Sequence, residues 1–298
     1  MSDAAPHGAS TQPDGFQQKA TRFLYTNPAG RVLLRALVRP GVSKVAGAFL
    51  DTRLSKPLVD PFIRANGIDV SQFEGAPFST FNDCFSRAIK PGMRPIDDDP
   101  DTLVSPADSR LSVLPISAHG RMVLKGTSYT VATLLRDAVL ASRYVGGYAF
   151  IFRLSVDDYH RYCFPAAGTV GKPQRIQGVL HTVSPLANDV EPIYKQNTRE
   201  YVALETERFG SLILMEVGAL LVGRIVNHPV TGPVRKGQEK GFFQYGGSTV
   251  VVLAEPGTLS VSEELLAASA RGEETQVRYG QAVARSCASA VCEEPVSE

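Results

Sequence analysis

The stretch GFFQYGGSTVVVLAEPG, residues 241–257, sets a hydroxyl where a bend meets a strand. Gly246 and Gly247 let the chain turn abruptly, and the β-branched run after them predicts a strand that Ser248 and Thr249 open. Taken alone, a Gly-Gly-Ser is an ordinary turn. A serine hydroxyl becomes a nucleophile when a base lies beside it and a further group orients that base, and histidine is the usual supplier. The chain has five histidines. His7 falls in a polar start, while His119 and His228 sit beside Gly or Pro in turn-like surroundings. His160 lies in FRLSVDDYHRYCFPAAG, where a strand-like run meets a polar cluster, and His181 opens HTVSPLA. Either one also fits a bland role, at a strand end or half exposed on a strand. Asp108 in SPADSRL is a carboxylate in a turn, a position that Asp commonly takes for its own local hydrogen bonds.

These groups need a scaffold, and the chain divides into two kinds. From Leu103 onward, LSVLPI, YAFIFRLSV, GVLHTVSPL, EYVALET and SLILMEVGALLVGRIV are separated by Gly, Pro, Asp and Asn, which predicts a predominantly antiparallel β domain. One helix is expected over residues 130–141, with Val131, Leu134, Leu135 and Val139 on one face, and Ser260 with Glu263 suggests a capping box for a short helix to Arg271. The first ninety or so residues read as helical. Residues 29–50 suggest two short amphipathic helices interrupted at Pro40-Gly41, residues 51–64 continue with Leu54, Leu58, Val59, Phe62 and Ile63, and residues 78–89 present Phe81, Phe85 and Ile89 on one side. The expected fold class is α+β: a helical, membrane-associating N-terminal segment followed by a predominantly antiparallel β catalytic domain. The expected divisions are a disordered start at 1–20, a basic amphipathic region at 21–95, the β-rich domain at 96–285 and a flexible tail at 286–298.

A chain of 298 residues with 43% hydrophobic and 20% charged residues has an ordinary globular composition. Its net charge of +1 argues against a general nucleic-acid binder. The charge is uneven, however: Lys19, Arg22, Arg31, Arg35, Arg39, Lys44, Arg53, Lys56 and Arg64 face only Asp51 and Asp60 between Gln17 and Arg64. Four cysteines, Cys84, Cys163, Cys287 and Cys292, make neither a disulfide scaffold nor a zinc pairing, so no metal is expected and a reducing, cytosolic compartment fits. The first sixteen residues lack the apolar core of a signal peptide, and no apolar run approaches the roughly 20 residues that span a bilayer. Contact with a membrane would therefore be peripheral, on the cytoplasmic face.

In order and wording, several stretches together resemble the phosphatidylserine decarboxylases, pyruvoyl enzymes that make their own prosthetic group. They are FSTFNDCFSRAIKPGMRPID, SPADSRL, KGTSYTVATLL, RLSVDDYHRYCFP, HTVSPLA, NTRE, EVGALLVGRI, KGQEKGFFQYGGSTVVVL and ETQVRYGQ, spread over roughly residues 75–280. The resemblance implies a proenzyme that cuts itself at Gly247-Ser248. Residues 1–247 would become the large chain, and residues 248–298 a small chain headed by a pyruvoyl group made from Ser248. That carbonyl would engage the substrate amine and act as electron sink when carbon dioxide leaves, with no external cofactor. By the same resemblance His160 is the proton donor, Asp108 an orienting carboxylate, and His181, Gly246 and Thr249 line the substrate site.

One departure leaves the activating base open. The family commonly carries a second His three residues after the first, where this chain has Cys163, and Ser109 stands in place of a Gly after Asp108. Three outcomes follow: Cys163 acts as a thiolate base, its pKa lowered by Arg161; His160 serves both steps; or cleavage is lost. Cys163 is equally readable as a small buried hydrophobe. Retained cleavage is favoured because the junction and both flanks are kept. The implied reaction converts phosphatidylserine to phosphatidylethanolamine and carbon dioxide. The basic segment from Thr21 to Ile63 independently suits an anionic phospholipid surface. The alternatives are a pyruvoyl decarboxylase of a soluble amino acid and an uncleaved, non-catalytic lipid-binding member of the family. The partners expected are the anionic membrane, phosphatidylserine and the two product chains, with a homodimer left open.

Overall fold

The computed structural model describes residue 27, residue 45 and residues 47–124, 127–178, 197–218, 224–244 and 248–287. In chain order its strands are β1 (Thr102–Val104), β2 (Ser109–Pro115), β3 (Arg121–Leu124), β4 (Thr127–Thr130), β5 (Tyr148–Leu154), β6 (Arg161–Cys163), β7 (Gly168–Val170), β8 (Gln174–Ile176), β9 (Arg199–Glu205), β10 (Ser211–Val217), β11 (Ile225–Asn227), β12 (Gly232–Val234), β13 (Glu239–Phe243), β14 (Ser248–Ala254), β15 (Leu259–Ser260), β16 (Thr275–Val277) and β17 (Ala282–Ser286). The α-helices are short: α1 (Val59–Ala65), α2 (Phe81–Phe85), α3 (Val131–Leu135), α4 (Ala138–Ser142) and α5 (Glu263–Ala270).

A nine-stranded sheet organises the molecule, ordered β12-β7-β9-β10-β14-β5-β2-β16 with β8 pairing β9 off that path. All its pairings are antiparallel. Both β10 and β14 are buried at every position, so their sequences are mostly apolar without alternation, with buried polar exceptions such as Glu216, Ser248 and Thr249. Side chains alternate between the faces. Val250, Val252 and Ala254 join one core with Phe150, Phe152 and Leu214, and with Tyr162, Phe164 and Phe243 from the segments β6 and β13. Val251 and Leu253 join a second core with Ile151, Ile213 and Met215, roofed by Val131, Leu134 and Leu135 of α3 and by Tyr144. Two three-stranded sheets, β11-β13-β6 and β1-β17-β15, complete the first layer. Each fully buried Leu or Phe contributes about 1.5–3 kcal/mol, so β14, covered on both faces and paired on both edges, is held firmly at the centre.

The β-rich half matches the expectation, and the helices depart from it in detail. The helix expected over 130–141 is two helices, because Arg136 takes a left-handed conformation (φ 52°) and Asp137 caps α4 by accepting from Leu140 N at 2.9 Å. The break turns Val139 out to solvent, 82% exposed, instead of onto the face of Val131, Leu134 and Leu135. The cap of α5 is Ser262 rather than Ser260, which β15 uses in pairing with β17.

The N-terminal region is helical only in pieces: a 3-10 segment at Arg53–Leu58, α1, a 3-10 turn at Val70–Gln72, and α2. A capping box starts α2, with Thr80 Oγ1 accepting from Asp83 N and Asp83 Oδ2 accepting from Thr80 N, each at 3.1 Å. It ends at Phe85, and Ile89 leaves the helical face to bridge Phe73. Most of the expected amphipathic helices over 29–50 lies outside the described residues. No helix among the described residues is long and apolar enough to cross a membrane. Cys84 and Cys163 are free and buried, whereas Cys287 is disulfide-bonded. A low cysteine count excludes a multi-bridge scaffold without fixing the state of each thiol.

Candidate active site

Ser248 is the first residue of β14, opposite Leu154 on β5, and Thr249 stands opposite Val217 on β10. Both are fully buried. Neither Ser248 Oγ nor Thr249 Oγ1 has a hydrogen-bond partner among the described residues. A buried hydroxyl left unpaired costs about 1–3 kcal/mol, so two in succession mark a position kept for something other than packing. By alternation Ser248 shares a face with Val250, toward the core that holds Leu154, Tyr162 and Phe243. Gly246, Gly247 and His181 lie outside the described residues.

The chain brings His160 to the same end of the sheet from two directions. Leu154, the partner of Ser248, is followed by a tight turn at 155–158 that leads to His160 and then to β6. From the other side, β13 pairs β6, and Phe243 N donates to His160 O at 2.9 Å five residues before Ser248. The imidazole is fully buried, with its Nδ1 2.9 Å from Asp158 O. A carbonyl oxygen only accepts, so Nδ1 carries the hydrogen and Nε2 keeps a lone pair. That Nε2 has no partner among the described residues. Burial first, and the charge of Arg87 second, push the imidazole pKa down to about 3. His160 is therefore a neutral ring in its base form, packed on Phe85 at 3.9 Å between centroids.

The structure does not bring Asp108 onto this ring. Its carboxylate accepts from Arg94 (Nη2 at 2.6 Å, Nε at 3.0 Å) and from Tyr279 N at 2.8 Å, while the imidazole Nδ1 is taken by Asp158 O. Cys163 packs among Val59, Phe73, Phe78, Cys84, Tyr159 and Tyr279. Burial pushes its thiol up to about 12, opposite in direction to the expected lowering by Arg161. The Arg161 guanidinium is turned away to Glu239 at 2.9 Å and lies over the Phe242 ring at 5.2 Å. Beside His160, burial also raises the Asp158 carboxyl to about 7. Of the other described histidines, His119 is exposed and His228 Nε2 is 2.7 Å from Glu239.

Sequence reasoning missed a buried ionic network one step from Ser248. Glu216 on β10 stands opposite Val250, which makes it the diagonal neighbour of Ser248 on the same face, within reach of a long side chain. Its Oε2 accepts from Lys240 Nζ at 2.7 Å and from Asn227 Nδ2 at 3.0 Å, and Oε1 has no partner among the described residues. Asn227 Oδ1 accepts from Lys240 Nζ and from the Tyr162 hydroxyl, each at 3.0 Å. Burial outweighs Lys240 and pushes the Glu216 carboxyl up. Lys240 reaches inward because the β13-β6 register slips between Glu239 and Gly241, a bulge that re-aims the intervening side chain. Gly241 is needed beside it, since a Cβ there would lie 2.3 Å from Val226 O and 2.9 Å from the Tyr162 hydroxyl. The network thus ties β13, the strand before the Gly247-Ser248 bond, to β10, which flanks the strand after it. The available signal was a single acid inside the apolar run SLILMEV, a placement that requires a partner.

The family model for phosphatidylserine decarboxylase matches residues 81–285. The chain is 40% identical over 269 residues to phosphatidylserine decarboxylase proenzyme 2 of Clostridium acetobutylicum, covering 90% of this chain and 92% of that protein. It is 37% identical over 275 residues to the phosphatidylserine decarboxylase proenzyme of Chlamydia caviae, with 90% and 92% covered. Against the corresponding proenzyme of Clostridium kluyveri the identity is 35% over 272 residues, with 89% and 92% covered.

Proposed function

The chain belongs to the phosphatidylserine decarboxylase family, and from that premise we propose that it decarboxylates phosphatidylserine to phosphatidylethanolamine through a pyruvoyl group made from its own Ser248. The observation that carries this reading is that two buried polar atoms without a hydrogen-bond partner among the described residues, Ser248 Oγ and His160 Nε2, sit on segments that meet at one end of the sheet. An unpartnered hydroxyl heading a central strand fits a residue that is consumed to make a prosthetic group.

In processing, His160 Nε2 takes the proton of Ser248 Oγ as that oxygen attacks the Gly247 carbonyl carbon. The proton passes to the Ser248 nitrogen as the peptide bond breaks, leaving an ester. Loss of the Ser248 Cα proton expels Gly247 as a carboxylate and leaves dehydroalanine at 248. Water adds, ammonia departs, and a pyruvoyl group heads the small chain. A glycine on the acyl side presents no Cβ to the attacking oxygen. Cys163 enters no step, because a thiol held near 12 is not a thiolate at neutral pH. Asp108 acts at one remove, fixing Arg94 and the Tyr279 backbone.

The pyruvoyl group supplies an electron-poor carbonyl that engages the substrate amine and accepts the electron pair left as carbon dioxide departs. The chain's residues supply the rest. Leu154, Tyr162 and Phe243 exclude water on the Ser248 face, which favours the loss of a carboxylate charge. His160 starts as a base and so returns only a proton that it has first taken up; Thr249, Gly246 and His181 complete the substrate site.

The region over 21–95 lays this site against an anionic membrane on its cytoplasmic face, while 96–285 forms the catalytic domain. Val45, Phe49, Leu54 and Leu58 are exposed apolar side chains within one short stretch, and the exposed Arg53, Lys56 and Arg64 accompany them. Such a patch suits the headgroup layer, where each cation contributes about 1 kcal/mol. The test is a denaturing gel together with product analysis on vesicles containing phosphatidylserine. Two chains and phosphatidylethanolamine are expected. A single full-length band, or turnover of free amino acids alone, overturns the reading.

A further inference from the structure

Arg87 stands between α2 and the turn that presents His160, buried to 3% exposure, and the Ser248 chemistry makes no use of it. Its bonds go to main-chain carbonyls: Nη1 donates to Cys84 O at 3.2 Å, and Nη2 donates to Asp157 O at 3.2 Å and Asp158 O at 3.3 Å. Its Nε has no partner among the described residues. The guanidinium lies over the Phe73 ring, 4.4 Å from the centroid. Asp158 O therefore accepts two donors, Arg87 Nη2 and His160 Nδ1, and is the oxygen that decides which imidazole nitrogen bears the hydrogen.

We propose that Arg87 is a positioning residue for the reaction: by fixing the Asp157 and Asp158 carbonyls it holds His160 in the Nδ1–H form, so that Nε2 keeps the lone pair that the reaction uses. The groups that face His160 are few. From α2 comes the Phe85 ring, and from the residues after α2 the Arg87 charge. From its own turn comes Asp158, whose carboxylate accepts from Ser155 N at 2.6 Å and leaves only the carbonyl to the imidazole. From β13 comes the Phe243 N–H, which goes to the His160 carbonyl. Arg161, next in the chain, is committed to Glu239 and to Ser86 O. Among the described residues, Arg87 is thus the cation beside the ring. The same charge that orders the carbonyls also disfavours protonation of the imidazole, so the ring rests in its neutral form.

The inference builds on the reading of His160 as the proton carrier, and it is tested by a measurement that needs no turnover. Full-length Ser248→Ala protein carrying 15N-labelled histidine is titrated from pH 8 to pH 5 by NMR, with His160→Gln used to assign the ring. The Nδ1–H tautomer is expected throughout, without titration. In Arg87→Met the ring should populate both tautomers, and so should it in Arg87→Lys, which keeps the charge without the fork; burial, the larger cause of the low pKa, still holds the ring neutral over that range in both. In the processing-competent chain either variant should slow cleavage about tenfold or more, because a mis-set tautomer removes the base. A folded Arg87→Met protein whose His160 signals match the parent overturns the proposal. So does an Nε2–H tautomer in the parent itself, which decides the matter even if no Arg87 variant folds. Failure of cleavage in the parent with the tautomer as stated would instead count against the functional reading alone.

Discussion

Replacing Lys240 by Met tests the buried network beside Ser248. Lys240 and Glu216 are both essentially removed from water, and the variant would leave the Glu216 carboxylate with Asn227 Nδ2 as its one remaining donor among the described residues. Breaking a buried pair from one side costs about 3–5 kcal/mol, whereas replacing both partners by apolar groups of similar size is often neutral or better. Lys240→Met and Glu216→Leu should each lose about 3–5 kcal/mol, and the double variant should return to within about 1–2 kcal/mol of the parent. Urea unfolding in a Ser248→Ala background measures this on one unbroken chain. The pH dependence supplies a second check. Burial raises the Glu216 carboxyl in the folded state, and losing Lys240 raises it further. The folded state then holds a proton that the unfolded state has released, so stability falls as pH rises through that window. The deficit of Lys240→Met should accordingly be largest near pH 8 and shrink on acidification. A double variant as unstable as either single one, or single variants costing less than about 1 kcal/mol, would refute the clamp.

Other outcomes follow from the same geometry. Cys163→Ala and Cys163→Ser should process at the parental rate on a denaturing gel, and loss of cleavage in both would return the thiol to the mechanism. The His160 pKa sits at about 3, below its ordinary 6.5, so the unfolded chain binds the extra proton between those values and stability is lost as pH falls from about 6.5 toward 3. His160→Gln should flatten that limb in urea midpoints taken across the range, and an unchanged limb would contradict the buried neutral ring. Phe49→Ser with Leu54→Ser and Leu58→Ser should lower sedimentation with phosphatidylserine vesicles while leaving the fold intact by circular dichroism, since these side chains are exposed. Undiminished sedimentation would remove the apolar patch from membrane binding.

What could be read from the sequence follows the range of the interactions involved. The strand opening at Ser248 was legible because a Gly-Gly bend and a β-branched run are local signals, and His160 stood out as a histidine closing an apolar strand. The broken helix was not legible: Arg136 is a non-glycine residue in a left-handed conformation, which no periodicity marks. Ser260 and Ser262 are both plausible caps by composition, and only the pairing of β15 with β17 takes Ser260 out of contention. Lys240 and Glu216 lie 24 residues apart on different strands, joined through a bulge, so register decides their meeting. Arg161 seemed to sit next to Cys163 because they are close in sequence, but the guanidinium found Glu239 across the sheet, and the thiol was left in an apolar cluster.

The most direct test is the intact mass of the purified protein. Rearrangement at Gly247-Ser248 predicts two masses: residues 1–247 ending in a free carboxylate, and residues 248–298 one ammonia lighter than a serine-headed chain. A single mass for the whole chain, or a small chain that still begins with serine, would contradict the claim that Ser248 becomes the prosthetic group.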